Sequence, residues 1–583
     1  MLLSLLRTFF KPRKDAAGLN AVALEHYQRG ELDQAQKYFR EAAVLQPDEV
    51  TAWTNLAVVL IAQQKYREAV PVLLKVIEMA PGLAEAHLDL GVCYYRLKRN
   101  VDAIAQYETA IRLKPDLHKA HANLVDACMD ACDWVRVERW RADFDKYRKT
   151  HARPLWAQRI EPFSALLLFP GKIAKETAIE RASQLAASVK ASTGLPASRA
   201  ASYKHDRIRL AYVSADLYDH ATAHLAFRLF ELHDRDVFEV TVYSSGPDDS
   251  SRSRKHIEST CDRFVDVRSE TPARTAQRIR DDEIDILVDM KGYTANSRPQ
   301  VFASRAAPVQ VSYLGYPGTT GAEFIDYFIS DAVATPPGRE SEFTEKVVHL
   351  PGSYQVNDNE QPIGGNVLTR ADAGLPESGF VYCSFNRLGK IDTTVFSAWM
   401  EILRTVDGSV LWLIGDDADA ERNLRAAAQA RGVAPERLVF SEKLPKAEHL
   451  ARHRLADLFL DTWMCNAHTG ASDALWAGLP LLTCPGKTFV TRVAASLLHA
   501  AGLPELVAAD SGEYQALAVR LAREPARLEA LRARLAANRD SCALFDTPRY
   551  VKHLESAYRR MQDLRSCGAA AESFTVPEDP ATR

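Results

Sequence analysis

Pro47, Pro81 and Pro115 are 34 residues apart, and so are Ala35, Ala69 and Ala103. A fixed period of this length means one supersecondary unit repeated, each copy unable to bury its apolar face without its neighbours. Within each copy the alanine stands where two antiparallel helices cross closely, and Phe39, Leu73 and Tyr107 fill the gap between them. The proline ends the second helix because it cannot continue one. Leu56, Leu90 and Leu124 recur at the same period on the first helices, with Trp53 three residues before Leu56.

The period predicts an α superhelical tetratricopeptide array over residues 16–150, with three clear repeats to about residue 117 and a degenerate fourth. A further series, Asn55, Asp89 and Asn123, stands one residue before those leucines. In a superhelical array one such position per repeat faces the concave groove, where carboxamides hydrogen-bond an extended peptide's backbone without reading its sequence. These three are candidate acceptor-binding residues. Asp89 departs from an all-asparagine ladder, and ordinary solvated polar positions are the competing reading.

At 583 residues the chain needs more than one core. Lys plus Arg is 73 and Asp plus Glu is 76, a net of -3, so nothing in the balance favours nucleic acid as a partner. The nine cysteines form no CxxC pair, and Cys128 and Cys132 read as core-facing helix positions, which fits a reduced, cytoplasmic setting. The opening MLLSLLRTFFKPRK has too few apolar residues to span a bilayer and lacks a signal-peptide pattern, so residues 1–15 read as a cap or peripheral amphipathic segment. No transmembrane segment is expected.

Residues 151–207 read as a helical linker, ending in the small, polar stretch ASTGLPASRAASYKHDR. Beyond it the pattern changes to short buried runs spaced by helix-length segments: IRLAYVSAD (208–216), FEVTVYS (238–244) and IDILVDM (284–290). The alternation restarts at FVYCSF (380–385), VLWLIG (410–415), RLVF (437–440), DLFLD (457–461) and PLLTC (480–484). Two doubly wound α/β halves, at 208–370 and 371–565, imply a cleft in which ligands of such folds bind. The Ala-, Glu- and Pro-rich tail, 566–583, reads as disordered.

Three stretches at strand ends carry chemistry. In LDTWMCNAHTGASDALWAGLPLLTCPG (460–486) a strand leads through Cys465, Asn466, Ala467 and His468 into a helix opened by Thr469 and carrying Asp473. A helix N-terminus accommodates a diphosphate, and Asp473 can accept from ribose hydroxyls. In FVYCSFNRLGKID (380–392), Lys390 follows the first strand of the second half, where a cation neutralises charge growing on a departing nucleoside diphosphate without a metal. In SADLYDHATAHLAF (214–227), His220 and His224 are four apart; no third ligand or HExxH pattern supports a metal pair, and a cleft histidine serves instead as general base or acceptor-binding group. Between them, Gly315, Pro317, Gly318 and Gly321 suggest a tight turn approaching a ligand or the opposite lobe.

These residues resemble the O-GlcNAc transferase/SPINDLY family over roughly residues 16–560, through DMKGYT, LGYPGT, FNRLGKI, PKAEH, CNAHT and TRVAAS. The resemblance implies a two-lobed GT-B-type glycosyltransferase making a metal-independent, inverting transfer from UDP-GlcNAc to Ser or Thr of proteins, with no cofactor beyond that donor. It implies Lys390 as the catalytic phosphate-binding lysine and His468 and Thr469 as the diphosphate loop. Asp473 matches the ribose contact, Lys446 and His449 the uridine pair, and His220 the cleft histidine proposed as base. Ala221 stands where the family has proline, Arg387 where it has glutamine, and Gly470 where it has threonine; Arg387 is counted with the donor-binding residues. The base itself stays open between His220, a donor phosphate oxygen and water. Other readings are the same fold with GDP-fucose or UDP-glucose as donor or asparagine as acceptor, and an inactive repeat scaffold. Acceptor proteins are the expected partners, reached through the array.

Overall fold

A computed structural model describes residues 15–193, 203–365, 368–415 and 417–578. Almost all of the expected N-terminal cap, the middle of the expected linker and the last residues of the tail lie outside the described residues. The chain divides into two compact units, one reaching to His151 and taking in Gln158–Ile160, the other comprising Ala152–Ala157 and Glu161 onward. Among the described residues no helix is long and apolar enough to cross a membrane.

The first unit is a run of four antiparallel helix pairs: Ala16–Gln28 with Leu32–Leu45, Val50–Ala62 with Tyr66–Met79, Ala84–Arg96 with Asn100–Leu113, and His118–Asp130 with Trp134–Thr150. Ala35, Ala69 and Ala103 are fully buried at the crossings, and Phe39, Leu73 and Tyr107 are buried between the helices. A β-carbon on Gly91 would stand 2.5 Å from the Tyr107 ring. The larger Tyr107 therefore fits because the facing side chain is missing, whereas one repeat earlier the corresponding residues are Ala57 and Leu73. Another 34-residue series caps the helix ends: Trp53 Nε1 donates to Pro47 O at 2.9 Å, His87 Nε2 to Pro81 O at 3.3 Å and His121 Nε2 to Pro115 O at 3.0 Å. Cys128 and Cys132 are both buried in this unit's core.

The second unit holds two parallel sheets. The first is built from β1 (Ile208–Ser214), β2 (Phe238–Ser244), β3 (Arg263–Asp266), β4 (Ile286–Asp289), β5 (Val309–Ser312), β6 (Tyr327–Asp331) and β7 (Lys346–Leu350). The second is built from β8 (Val381–Ser384), β9 (Val410–Ile414), β10 (Leu438–Ser441), β11 (Leu458–Leu460) and β12 (Leu481–Leu482). A last strand, β13 (Phe574–Thr575), joins the first sheet, so the orders are β13-β7-β6-β5-β4-β1-β2-β3 and β10-β9-β8-β11-β12. Every neighbouring pair is parallel. Strand order reverses between β1 and β4 in one sheet and between β8 and β11 in the other. At such switch points adjacent loops diverge and open a crevice at the carboxyl ends.

Three expectations are corrected. The segment expected to be a linker is structural: helix Lys172–Thr193 buries Ala182, Leu185 and Val189 in one cluster with Ala211, Val213, Leu287 and Val301. A sheet covered by helices needs an apolar helix on each face, and this one supplies it. The tail does not lose structure at residue 566, because β13 pairs with β7 in register Phe574 to Val348. Helix Thr547–Ser566 returns to the first sheet rather than staying with the second lobe: Tyr550 Oη and Tyr313 Oη are 2.7 Å apart, and Glu555 meets His233 at 3.0 Å. Its buried face of Tyr550, Val551, Leu554, Tyr558 and Met561 finds its partner there.

The glycine-rich turn is closely packed, as expected. Added β-carbons would come within 2.0 Å of Met290 O at Gly315, 2.8 Å of the Leu166 side chain at Gly318 and 2.2 Å of Ile179 N at Gly321. The turn is tight where helices Pro162–Leu168 and Lys172–Thr193 press on it. Buried Glu345 ties it down, accepting from Thr319 Oγ1 at 2.6 Å and Thr320 N at 2.7 Å.

Candidate active site

The loop after β11 is folded around one buried carboxylate. Asp461 accepts from the N–H groups of Ala467 at 2.7 Å and Thr462 at 2.9 Å, and from Thr483 Oγ1 at 2.6 Å. Burial pushes this carboxyl up to about 7, against the pull of those hydrogen bonds and of the Lys390 charge. Thr462 Oγ1 donates to Cys465 O at 2.7 Å and Asn466 Nδ2 to Thr462 O at 2.8 Å, which curls the loop and turns Asn466 O toward the end of β8. There the short turn Leu388–Lys390 presents Lys390, whose Nζ donates to that carbonyl at 2.9 Å. Among the described residues Lys390 makes no direct ion pair; its charge meets that carbonyl dipole and the Cys465 thiol, and it acts on Asp461 through space.

His468 precedes helix Thr469–Trp476, and its carbonyl accepts from Ala471 N at 3.1 Å and Ser472 N at 3.2 Å. The first N–H groups of the helix, on Thr469 and Gly470, remain directed out of the helix end. His468 Nε2 is buried without a hydrogen-bond partner. Burial, with Lys390 nearby, pushes the ring's pKa down to about 3, so it is neutral at pH 7. Nothing stands within 3.9 Å of a β-carbon built on Gly470.

One turn further in, Asp473 is buried and its Oδ1 is ion-paired with Lys446 Nζ, while His449 Nε2 lies 3.8 Å from Oδ2. Lys446 and His449 come from helix Lys446–Arg452. Phe385 supports the His449 ring edge-on at 5.5 Å, and Arg452 Nε donates to His449 Nδ1 at 2.9 Å. A donated hydrogen bond at Nδ1 places the proton of the neutral ring on Nε2. Burial holds this histidine well below the usual range, helped by His453, Arg452 and Lys446. Arg387 is exposed at the end of β8, and with Lys390 its charge draws down the Cys465 thiol, which burial pushes up more strongly.

The first lobe faces this site through helix Ala221–Leu225, which lies against helix Thr469–Trp476. His220 caps that helix, its Nδ1 accepting from Thr222 N at 3.2 Å. His224 Nε2 pairs with Asp219 at 2.7 Å, and burial followed by the charge of Lys446 lowers it. Thus Lys390, His220, Lys446, His449, His468, Thr469 and Asp473 share one cleft in the second unit, with Arg387 at its exposed edge. Asn55, Asp89 and Asn123 belong to the other unit, at equivalent places on helices Val50–Ala62, Ala84–Arg96 and His118–Asp130, each half-buried. Asn123 bonds the Tyr107 hydroxyl, and burial pushes the Asp89 carboxyl up, Lys119 opposing.

Sequence reasoning passed over Asp461, Asn386, and the buried pair Asp216 and Lys291. Asn386 Nδ2 donates to Thr462 Oγ1 at 3.1 Å and joins the two strand-end loops, and Lys291 Nζ meets Asp216 Oδ2 at 2.6 Å. The signal available was a charged residue directly at the end of an otherwise apolar strand, as in DLFLD and ILVDMK. Gln355 Nε2 also bridges the lobes, donating to Ser472 Oγ at 2.7 Å with both residues buried. Among the described residues no group of three or more His, Cys, Asp or Glu is arranged to hold a metal ion.

The family model described as Glycosyl transferase family 41 matches residues 188–364 and 357–554, and a Tetratricopeptide repeat model matches 21–84 and 59–118. The chain is 41% identical over 393 residues to the probable UDP-N-acetylglucosamine–peptide N-acetylglucosaminyltransferase SEC of Arabidopsis thaliana, covering 66% of this chain and 40% of that protein. It is 30% identical over 482 residues to the UDP-N-acetylglucosamine–peptide N-acetylglucosaminyltransferase of Caenorhabditis elegans, covering 63% and 42%. A Petunia hybrida relative named SPINDLY is 32% identical over 361 residues, covering 60% and 38%. The chain therefore spans about two fifths of the length of these curated relatives. Among solved structures, a mutant of the Thermobaculum terrenum O-GlcNAc transferase superposes with a TM-score of 0.70 at 28% identity, over 96% of this chain and 100% of that one.

Proposed function

The chain belongs to glycosyl transferase family 41, and from that membership we propose that it transfers N-acetylglucosamine from UDP-GlcNAc to serine or threonine hydroxyls of proteins, with inversion and without a metal ion. The observation that carries the reading is Lys390: a half-buried ammonium at a switch point, in no direct ion pair among the described residues, beside the N-terminus of helix Thr469–Trp476. The acceptor oxygen forms its bond to the sugar's anomeric carbon as the bond to the diphosphate breaks, and the electron pair passes to the phosphate oxygen. Lys390 and the helix N–H groups stabilise that growing charge more than the bound donor's, which is the condition for accelerating the step. Asp473 and Lys446 hold the ribose, and the His449 ring, fixed by Phe385 and Arg452, offers a flat face to the base.

Acceptor proteins engage the array, through Asn55, Asp89 and Asn123. The Tetratricopeptide repeat match supports an interaction role for that unit. Nine free cysteines support a reducing, cytoplasmic setting. The test is intact-mass and site mapping of host proteins co-expressed with the full chain, together with turnover of the purified protein. The expected result is one added N-acetylhexosamine on Ser or Thr from UDP-GlcNAc. Turnover of GDP-fucose but not UDP-GlcNAc would reverse the donor assignment.

A further inference from the structure

The first lobe's switch point holds a buried ion pair that no part of the transfer described above uses. Lys291 follows β4, in a turn held by Asp289 Oδ1, which accepts from Lys291 N at 2.8 Å and Gly292 N at 3.0 Å. Its Nζ lies 2.6 Å from Asp216 Oδ2, and the two side chains are only 7% and 9% exposed. The same oxygen is 3.6 Å from His220 Nδ1 and 3.4 Å from Thr222 Oγ1. Two groups thus compete for His220 Nδ1. Thr222 N–H donates to it at 3.2 Å, which requires a lone pair there and places the neutral ring's proton on Nε2. Asp216 favours the opposite arrangement, with the proton on Nδ1 and the lone pair on Nε2, the form a general base needs.

We propose that Lys291, by claiming Asp216 Oδ2, is the positioning residue that keeps His220 an Nε2–H donor toward the acceptor hydroxyl rather than a base. The assignment of that hydroxyl rests on the function proposed above; the tautomer does not. The charged and titratable groups facing His220 divide between the two sides of this balance. Burial lowers its pKa first, Asp216 and Asp219 oppose, and Lys291 and His224 lower it further, with Tyr218 tilted against the ring at 5.5 Å. Without the Lys291 cation, Asp216 is the strongest acceptor beside Nδ1, and an Asp–His dyad forms with its basic nitrogen in the cleft.

The experiment is nitrogen NMR of the full chain labelled only at histidine, with H220Q used to assign the ring signals, in wild type, K291M, K291R and D216N. Wild type should show the Nε2–H form, and K291M the Nδ1–H form with a higher titration midpoint. K291R keeps the charge and should behave as wild type. D216N removes the competing carboxylate and should keep the Nε2–H form. K291M showing the wild-type tautomer and midpoint overturns the proposal; if K291M does not fold, D216N switching to Nδ1–H, or K291R doing so, overturns it. A lysine that merely stabilised the fold would move the melting curve and not the tautomer. In turnover, K291M should lower kcat roughly tenfold to a hundredfold, the range expected when a reacting group is misplaced, with UDP affinity unchanged. Because the NMR readout needs neither donor nor acceptor, it stands even if the donor assignment fails.

Discussion

Both lobes carry a lysine at the switch point of a parallel sheet, and the two are provisioned in opposite ways. Lys291 in the first lobe is buried and neutralised by a carboxylate at 2.6 Å. Lys390 in the second donates to a carbonyl oxygen and lies beside the Cys465 thiol, and the nearby carboxylate of Asp461 is already engaged by three donors. The same topology therefore offers one crevice with no net charge to give and one with a cation awaiting an anion. Under the function proposed above, that difference would seat the diphosphate on the second lobe and leave the first for an uncharged hydroxyl.

The sharpest way to break this comparison is Lys390→Met. Losing one preoriented electrostatic group costs on the order of a hundred-fold to a thousand-fold in rate, while methionine keeps much of the side chain's length and so the fold. A variant with a native-like melting curve and more than about a tenth of wild-type turnover, well short of that loss, would remove Lys390 from the leaving-group role.

Asp473→Asn should cost less, because it weakens one charged hydrogen-bonding group rather than the reacting centre. Such groups contribute about 1.5–3 kcal/mol, so calorimetry should show UDP binding weaker by roughly tenfold to a hundredfold. UDP affinity that stays unchanged would detach Lys446 and Asp473 from the nucleoside.

Glycines sharpen the contrast in packing. Gly315→Ala forces a β-carbon onto Met290 O, whereas at Gly470, in the second helix position, a β-carbon meets only ordinary contacts at 3.9 Å. Gly315→Ala should lower stability by about 1–3 kcal/mol, as overpacking does. Gly470→Ala should raise it by roughly 0.5–1 kcal/mol, because it replaces glycine in a helix. Denaturant melts of the two variants decide it, and equal effects would mean the donor loop is as tightly packed as the first-lobe turn.

The smallest effect concerns pH. Burial pushes His453 down to about 4 and His468 to about 3, so both are neutral when folded. Unfolded, they titrate near about 6.5. Between these values the unfolded chain binds protons the folded chain does not, so their contribution is complete above about 6.5 and is lost as pH falls toward about 4 for His453 and about 3 for His468. Melting temperature should therefore drop on acidification across that window, and His468→Gln should flatten the drop. A His468→Gln variant with the wild-type slope would mean that His468 is charged in the folded site, which would weaken the case for Lys390 as its main cation.

Much of the site was legible because it follows local rules. Lys390, His468 and Asp473 stand at the end of an apolar run or at the start of the next helix, and strand–loop–helix grammar is written in neighbouring residues. Asp461 was passed over since a carboxylate ending a strand looks the same whether it faces solvent or staples a loop; only its three donors distinguish it. The turn at Gly315, Gly318 and Gly321 was correctly read as tight, but what tightens it is Leu166 and Ile179, far away in the chain.

From the residues alone came the 34-residue array and the alternation of two α/β halves, because both are patterns that recur along the chain itself. Which strands became neighbours was decided only in three dimensions. Asp216 and Lys291 are 75 positions apart and meet because β1 and β4 are paired, and β13 finds β7 from the far end of the chain. A parallel strand carries no mark of its partner, since its hydrogen-bonding groups are the same backbone everywhere. The charge balance of each crevice follows from that pairing and not from composition.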